Sequence, residues 1–292
     1  MATSTESLWH ATHQLPEFPS VDGDLTADVA IVGGGIAGLT AAVILGRAGK
    51  RVVVLERDRV GSGETGHTTS HLTEAVDGRY QRIVRDFGTD GASAVCRASH
   101  DAIDFIEAIV HGCQCGFQRL SGYLYTEREW DLDWLEDELE AARMAGCAVE
   151  WDDHPPVPFE IRGAIRWPMQ AQVHATAYLD ALIGEAREHG VEIYEQSRVV
   201  GVSDGDPCQV DTMKGAVRAK DVFVAAHVPV NNRVLLHTKV AAYRSYAIAA
   251  KVNAPETWSL LWDTESPYHY TRWQRLDGAT YVIVGGEDHR TG

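Results

Sequence analysis

The stretch Gly33-Gly34-Gly35-Ile36-Ala37-Gly38 constrains this chain more than any other. It follows the apolar run Val29-Ala30-Ile31-Val32, which has the length and content of a buried parallel strand. Ile36, Leu39 and Val43 then repeat at helical spacing up to Gly46 or Gly49, where glycines and Lys50 mark a stop. Arg51-Val52-Val53-Val54-Leu55-Glu56 reads as a second buried strand. Strand, turn, helix and strand over this distance make a βαβ unit, whose crossover is right-handed in nearly every case.

Within Gly33-x-Gly35-x-x-Gly38 each glycine has a mechanical task. The first turns the chain tightly, the second admits the backbone to a pyrophosphate, and the third lets the helix pack on the strand. Free amides and the helix dipole at Ile36 and Ala37 favour negative charge. Glu56 stands eighteen residues after Gly38, at the end of the second strand. There it can accept hydrogen bonds from an adenosine ribose, and its charge repels the extra phosphate of NADP. NAD and FAD remain. An NAD domain runs on into further βα units, whereas here Arg57 leads into Gly61-Ser62-Gly63-Glu64-Thr65-Gly66-His67-Thr68-Thr69. A second glycine and hydroxyl loop so close behind the first can follow a long cofactor from its diphosphate towards a flavin ring.

Val29 to Gly46 runs eighteen residues without a charge, but its five glycines and its strand-turn-helix pattern argue against a membrane span. The 26 basic and 42 acidic residues leave a net charge of −16, which repels phosphate backbones and anionic surfaces, so no nucleic-acid partner is expected. The start of the chain has no basic stretch followed by an apolar one, so a cytoplasmic location is expected. Cys96, Cys113, Cys115, Cys147 and Cys208 then read as free thiols. The Cys113-x-Cys115 pair has no companion with ligand spacing, and Glu287-Asp288-His289 lacks a fourth ligand; no metal is expected.

Further along, helical patterns cover Arg79 to Phe87, Gly91 to Val110 and Glu129 to Ala145, with a strand at Gly122–Thr126. His154-Pro155-Pro156-Val157-Pro158 must be irregular, and a domain crossing is expected near it. Strand-helix alternation resumes at Ala164–Trp167 and Ala175–Glu188. Strands follow at Val191–Tyr194, Arg198–Val202, Gln209–Thr212, Asp221–Ala225, Ala241–Val252, Tyr268–Trp273 and Thr280–Val284. The pattern predicts an α/β fold, a Rossmann-like nucleotide-binding domain interleaved with an α+β domain built on an antiparallel sheet. Residues 22–80, 164–230 and 280–292 are assigned to the first domain, and 81–163 and 231–279 to the second.

These residues resemble the D-amino-acid, glycine and sarcosine oxidase superfamily of FAD-dependent oxidoreductases. The likeness includes the glycine loop, Glu56-Arg57, the Gly61 to Thr69 loop, Arg198-Val199 and Val222-Phe223-Val224-Ala225-Ala226-His227. Gly66-His67-Thr68-Thr69-Ser70, Ser245–Ala249, Pro267-Tyr268-His269-Tyr270 and Gly285–His289 resemble a bacterial subgroup that often carries a Rieske iron-sulfur domain after the flavin domain. Against that pattern the chain reads as truncated, stopping at Gly292 before the family's late glycine-rich stretch and the cluster ligands.

The resemblance implies that FAD is the cofactor, an amine or amino acid the substrate, and oxygen or an iron-sulfur partner the electron acceptor. It implies that Gly33, Gly35, Ile36, Ala37, Gly38, Glu56 and Arg57 hold the ADP portion. Val199 is expected to offer backbone contacts to adenine, Ala225 to lie against the ADP half, and Gly66, His67, Thr68 and Thr69 to approach the flavin. Some flavin enzymes attach FAD through a histidine in a comparable loop; for His67 a hydrogen-bonding role is expected. Superfamily substrates often meet an arginine and a tyrosine through their carboxylate. Strand periodicity offers Tyr268 and Tyr270 with Arg272 on one face, and Arg244 with Tyr246 on another, as such contacts. An NAD-linked dehydrogenase and a truncated, non-catalytic FAD-fold binding module are the alternative readings.

Overall fold

The computed structural model describes residues 4–228 and 241–291. Its contacts divide the chain into two units, Met1–Thr68 with Ala175–Ala241 and Thr69–His174 with Ala242–Gly292.

In the first unit a short helix α1 (Leu8–Thr12) precedes strand β1 (Leu25–Val32). The uncharged run splits as its pattern predicts, the strand giving way at the glycines to helix α2 (Ile36–Arg47). β2 (Val52–Leu55), four fully buried residues, closes the βαβ unit. A 3₁₀ turn at Glu64–His67 lies in the second glycine loop. After the excursion into the second unit the chain returns with helix α5 (Ala175–Glu188), which packs on α2. Four strands complete this sheet, β7 (Glu192–Tyr194), β8 (Val199–Ser203), β9 (Cys208–Thr212) and β10 (Ala216–Val224). Their order is β7-β2-β1-β10-β9-β8. The first four run parallel and the last two antiparallel. Ala30, Val32, Val53, Leu55 and Val217 fill one core of the unit, and burial on both faces explains the near-continuous apolar runs of β1 and β2.

The second unit is built on an eight-stranded sheet. Its order is β11 (Tyr243–Val252), β14 (Ala279–Arg290), β13 (Tyr270–Leu276), β12 (Ser259–Asp263), β4 (Gln118–Thr126), β6 (Gly163–Gln172) and β3 (His71–Leu72), with β5 (Glu150–Asp152) on β6. Among the described residues only β12 and β4 pair in parallel in it. Helices α3 (Tyr80–Val110) and α4 (Leu132–Met144) pack together, burying Tyr80, Leu135 and Leu139 against Leu124, Ile165 and Trp167. The two helical patterns expected around Phe87 and Gly91 form one element broken at Gly88, whose φ of +71° no helix interior accommodates. Nothing in its own sequence caps α3. Buried Glu138 of α4 does so instead, accepting from the Tyr80 and Gln81 amides at 2.8 and 3.0 Å.

The expected segment boundaries shift. The chain enters the second unit after Thr68, because His71–Leu72 pairs with β6 in the second sheet. It leaves after His174 and not near Pro155–Pro158, since β6 runs to Gln172 beside β4 before the chain is free to go. Residues 280–292 do not begin a last segment of the nucleotide-binding unit: β14 is hydrogen-bonded on both sides, by β11 and β13. The boundary expected at 230/231 lies outside the described residues. No helix among the described residues is long and apolar enough to cross a membrane.

Candidate functional site

The glycine loop is closed on three sides by backbone. Gly33 adopts φ +114°, and a Cβ there would stand 2.7 Å from the Ala225 carbonyl oxygen. A Cβ on Gly38 would stand 1.9 Å from the Gly33 carbonyl oxygen, so α2 touches the β1 turn at a distance only glycine permits. The Gly33 amide donates to the Leu55 carbonyl at 2.9 Å and the Ala225 amide to the Val32 carbonyl at 2.8 Å, tying the turn to the ends of β2 and β10.

Glu56 completes the turn. Its Oε2 accepts from the Gly34 amide at 2.7 Å and its Oε1 from the Asp58 amide at 2.9 Å. Bonds between amides and a carboxylate are worth about 2 kcal/mol each, so the acidic residue read from the sequence as a ribose acceptor also fixes the loop that precedes it. Thr65 was not singled out among the site residues, yet its hydroxyl accepts from the Ile36 amide at 3.2 Å and joins the second glycine loop to the start of α2. The signal for it was a hydroxyl residue inside a glycine-rich loop, which does not fix a partner.

These groups line a cavity of about 900 Å³. Gly33, Gly35, Ile36, Ala37, Glu56, Arg57, Val199 and Ala225 face it, joined by Gly61 to Thr65, Arg198, Met213 and His227. Gly38 does not line it; its place is the helix-strand contact. Gly66, His67 and Thr68 lie outside the lining, His67 exposed with Nδ1 3.0 Å from the Gly63 carbonyl. Thr69 belongs to the second unit, where its hydroxyl lies 3.2 Å from His71 Nδ1. The cavity's size suits a large organic ligand. Glycines that bring amides to its wall, a helix amino terminus and an acidic residue at the end of the second strand are the donor and acceptor set for a dinucleotide diphosphate and ribose.

The side chains read as substrate contacts do not converge. Tyr270 and Arg272 share one face of β13. Tyr270 pairs with Gly285, which pairs on its other side with Ala247, so Tyr246 points to the opposite face with Arg244, beyond a bulge in the β11–β14 register. Tyr246 is exposed and stacks on His289 at 5.2 Å. Tyr270 is half-buried, its ring 5.7 Å from those of Tyr268 and His71, and burial pushes its phenol up. Arg272 is fully buried, and its two terminal nitrogens are engaged within the protein. Nη1 reaches the carbonyls of Ser70, Thr69 and Val173 at 2.7, 3.0 and 3.1 Å, and Nη2 donates to Gln274. The expectation of a carboxylate-binding Arg272 is corrected to a clamp on the chain around Ser70.

His71 beside it is half-buried, and its pKa falls to about 3, first through desolvation of the ring and then through the charge of Arg272. The folded protein therefore binds fewer protons than the unfolded chain, whose histidine titrates near 6.5. Stability from this group is complete above pH 6.5 and is lost as pH falls towards 3, at no more than about 1.4 kcal/mol per pH unit. Comparing thermal midpoints across this range, His71→Phe is expected to show a shallower acid decline than the unsubstituted protein; parallel curves would contradict the assignment.

All five cysteines carry free thiols. Cys113 and Cys115 form no ligand cluster among the described residues; Cys96 and Cys147 approach Glu74 inside the second unit's core, where burial pushes both thiols up.

A parallel βαβ sheet with this loop and acidic residue defines a dinucleotide-binding protein, and its partner unit of mainly antiparallel strands is the arrangement found in flavin-dependent amino-acid oxidases. The chain belongs to the FAD dependent oxidoreductase family, whose model matches residues 28–292. FAD is the cofactor of that family. Among curated relatives, the Bacillus subtilis (strain 168) protein YhfW, whose name places it with the Rieske 2Fe-2S iron-sulfur proteins, is 30% identical over 98% of this chain. Gamma-glutamylputrescine oxidoreductase of Escherichia coli K12 is 29% identical over 80% of it. The chain spans 57% of the length of each. The fold is that of glycine oxidase from Geobacillus kaustophilus, with a TM-score of 0.71 at 19% identity over 92% of this chain and 73% of that one. L-Proline dehydrogenase from P. horikoshii matches with a TM-score of 0.74 at 17% identity over 94% of this chain and 72% of that one.

Proposed function

We propose that this chain is the cofactor-holding part of an oxidoreductase that removes a hydride from a carbon bearing an amine, in an amine or amino-acid substrate. The observation that carries the reading is the single cavity that runs from the Gly33–Ala37 turn and Glu56 to the Gly61–Thr65 loop, all on one unit. Bound FAD would supply the hydride acceptor, and the protein contributes grip, orientation and electrostatics.

In this reading the amides at the start of α2 hold the diphosphate, Gly33 and Gly35 let the backbone approach it, Gly38 lets α2 pack close enough to β1 to present those amides, and Glu56 accepts from the adenosine ribose. Arg57 supports that end, Val199 offers backbone contacts to adenine and Ala225 lies against the ADP half. Gly66, His67 and Thr68, next along the same loop, are assigned the flavin side of the site, His67 as a hydrogen-bonding group. Tyr270, half-buried and aromatic-lined, is the substrate contact retained from the four candidates on β11 and β13; exposed Arg244 and Tyr246 are the weaker pair. Oxygen or an iron-sulfur protein would take the electrons onwards, a reading supported by the Rieske name of the Bacillus subtilis relative.

The test is anaerobic. Protein reconstituted with FAD is mixed in turn with glycine, proline, other amino acids and polyamine derivatives, and its visible flavin absorption is followed. Bleaching by at least one amine supports the proposal. Retention of FAD with no bleaching by any amine would favour a binding module without catalysis.

A further inference from the structure

Residues 7–18, ahead of β1, are stitched to the second glycine loop by side chains whose partners are loop backbone. Ser7 Oγ donates to the Gly66 carbonyl at 2.5 Å, and Trp9 Nε1 donates to the Thr68 carbonyl at 2.6 Å. His10 Nε2 lies 3.3 Å from the Gly61 carbonyl, and its ring meets that of His67 edge-on at 5.7 Å. Trp9 is 3% exposed, and its own carbonyl accepts from the buried Thr176 hydroxyl of α5 at 2.9 Å. The contact with His10 leaves no space at Gly66, where an added Cβ would stand 2.2 Å from the imidazole.

A second stitch lies one step upstream. Buried Glu195 accepts from the Phe18 amide at 3.1 Å and from the Val60 amide at 2.8 Å, and pairs with Arg59 at 2.9 Å; Arg59 also pairs with Glu17 at 2.7 Å. The loop is thus held at both ends, at Val60–Gly61 and at Gly66–Thr68, while Gly61 to Thr65 between them face the cavity.

A loop with glycines at 61, 63 and 66 loses much conformational freedom when it is ordered. Within the loop the bonds are short-range turn bonds, from the Gly66 amide and His67 Nδ1 to the Gly63 carbonyl and from the Ser62 amide and hydroxyl to the Arg59 carbonyl, and two more tie it to the first glycine turn, from the Gly61 amide to the Gly34 carbonyl and from the Ile36 amide to the Thr65 hydroxyl. We infer that the segment 7–18 is a strap that preorganises the Gly61–Thr68 loop for the cofactor, with Ser7, Trp9, His10 and Glu195 as positioning residues that touch no cofactor atom. The inference rests on the proposed role of this cavity as the FAD site. A ligand that meets an already ordered loop does not bear the ordering cost itself, so the strap acts through affinity.

The variants separate positioning from folding. Trp9→Phe keeps an aromatic ring in the buried slot while deleting the indole donor and part of the ring volume; Glu195→Gln keeps the shape and weakens the bonds to Val60 and Phe18 and the pairing with Arg59. Two readouts are taken, hydrogen exchange of the 61–68 amides in ligand-free protein, and the FAD dissociation constant by flavin fluorescence. Both variants are expected to raise exchange in 61–68 at least tenfold and to weaken FAD at least fivefold. Amides of the β1–β10 pair in the same unit are expected to stay unchanged, which a general loss of that unit's stability would not allow. His10→Asn, which keeps a donor towards Gly61, is expected to recover most of the affinity that His10→Ala loses. Exchange and affinity within twofold of the unsubstituted protein in Trp9→Phe and Glu195→Gln would overturn the strap. Failure of the unsubstituted chain to bind FAD would overturn the proposed function itself.

Discussion

Alanine at Gly38 is expected to weaken FAD binding about a hundredfold and to lower the thermal midpoint of the ligand-free protein by several degrees. The added methyl would stand 1.9 Å from the Gly33 carbonyl oxygen, a backbone atom with no rotamer to escape into. Either α2 moves off β1 or the Gly33 turn opens, and each removes amides from the cavity wall. Overpacking in a well-filled interior costs about 1–3 kcal/mol, and a contact this short between backbone elements lies at the upper end. Three kcal/mol is about a hundredfold in affinity. Gly33→Ala is expected to act in the same direction through a separate cause, the φ of +114° and the Ala225 carbonyl at 2.7 Å. Titration with FAD and a melting curve without it measure both variants. Near-normal affinity in Gly38→Ala would mean that the close helix-strand contact is not what shapes the site.

The second large effect is expected at Glu56. Glu56→Ala leaves the Gly34 and Asp58 amides without their acceptor and removes the group assigned to the ribose. A buried or half-buried donor that loses its partner costs about 1–3 kcal/mol, so FAD should bind about tenfold to a hundredfold more weakly. The same change removes the negative charge that disfavours a phosphate on the ribose. The ratio of affinities for ADP and for its 2′-phosphorylated form should therefore fall towards one in the variant. Competition of the two against FAD measures this ratio, and an unchanged ratio would take the ribose role away from Glu56.

The nucleotide-binding unit was legible because its signals are local and independent. β1, α2 and β2 follow from an apolar run, a glycine spacing and a second apolar run. α5 matches its pattern over Ala175–Glu188, and the break between the two halves of α3 was visible at Gly88. What stayed hidden depends on long-range pairing. β12 is only five residues long, and its buried Ser259-Leu260-Leu261-Trp262-Asp263 has no alternation to mark it until β4 and β13 flank it. The placing of 280–292 failed for the same reason, since a strand's sheet is set by partners and not by its own residues. Arg272 looked like a carboxylate ligand because strand periodicity fixes a face and leaves open whether that face is covered; here it is covered, and three carbonyls take the guanidinium. The strap at residues 7–18 left no motif, because its bonds run to backbone atoms of a loop 59 residues away.

The central claim is that the Gly33–Gly38 turn, Glu56 and the Gly61–Thr65 loop form one FAD site. Titration of ligand-free protein with FAD by calorimetry, repeated with ADP, NAD and NADP as competitors, tests it most directly. The expected result is one FAD per chain, competitive displacement by ADP, little effect of NADP, and binding about a hundredfold weaker in Gly38→Ala. Tight binding of NAD with no heat from FAD, or FAD binding that ADP does not displace, would contradict it.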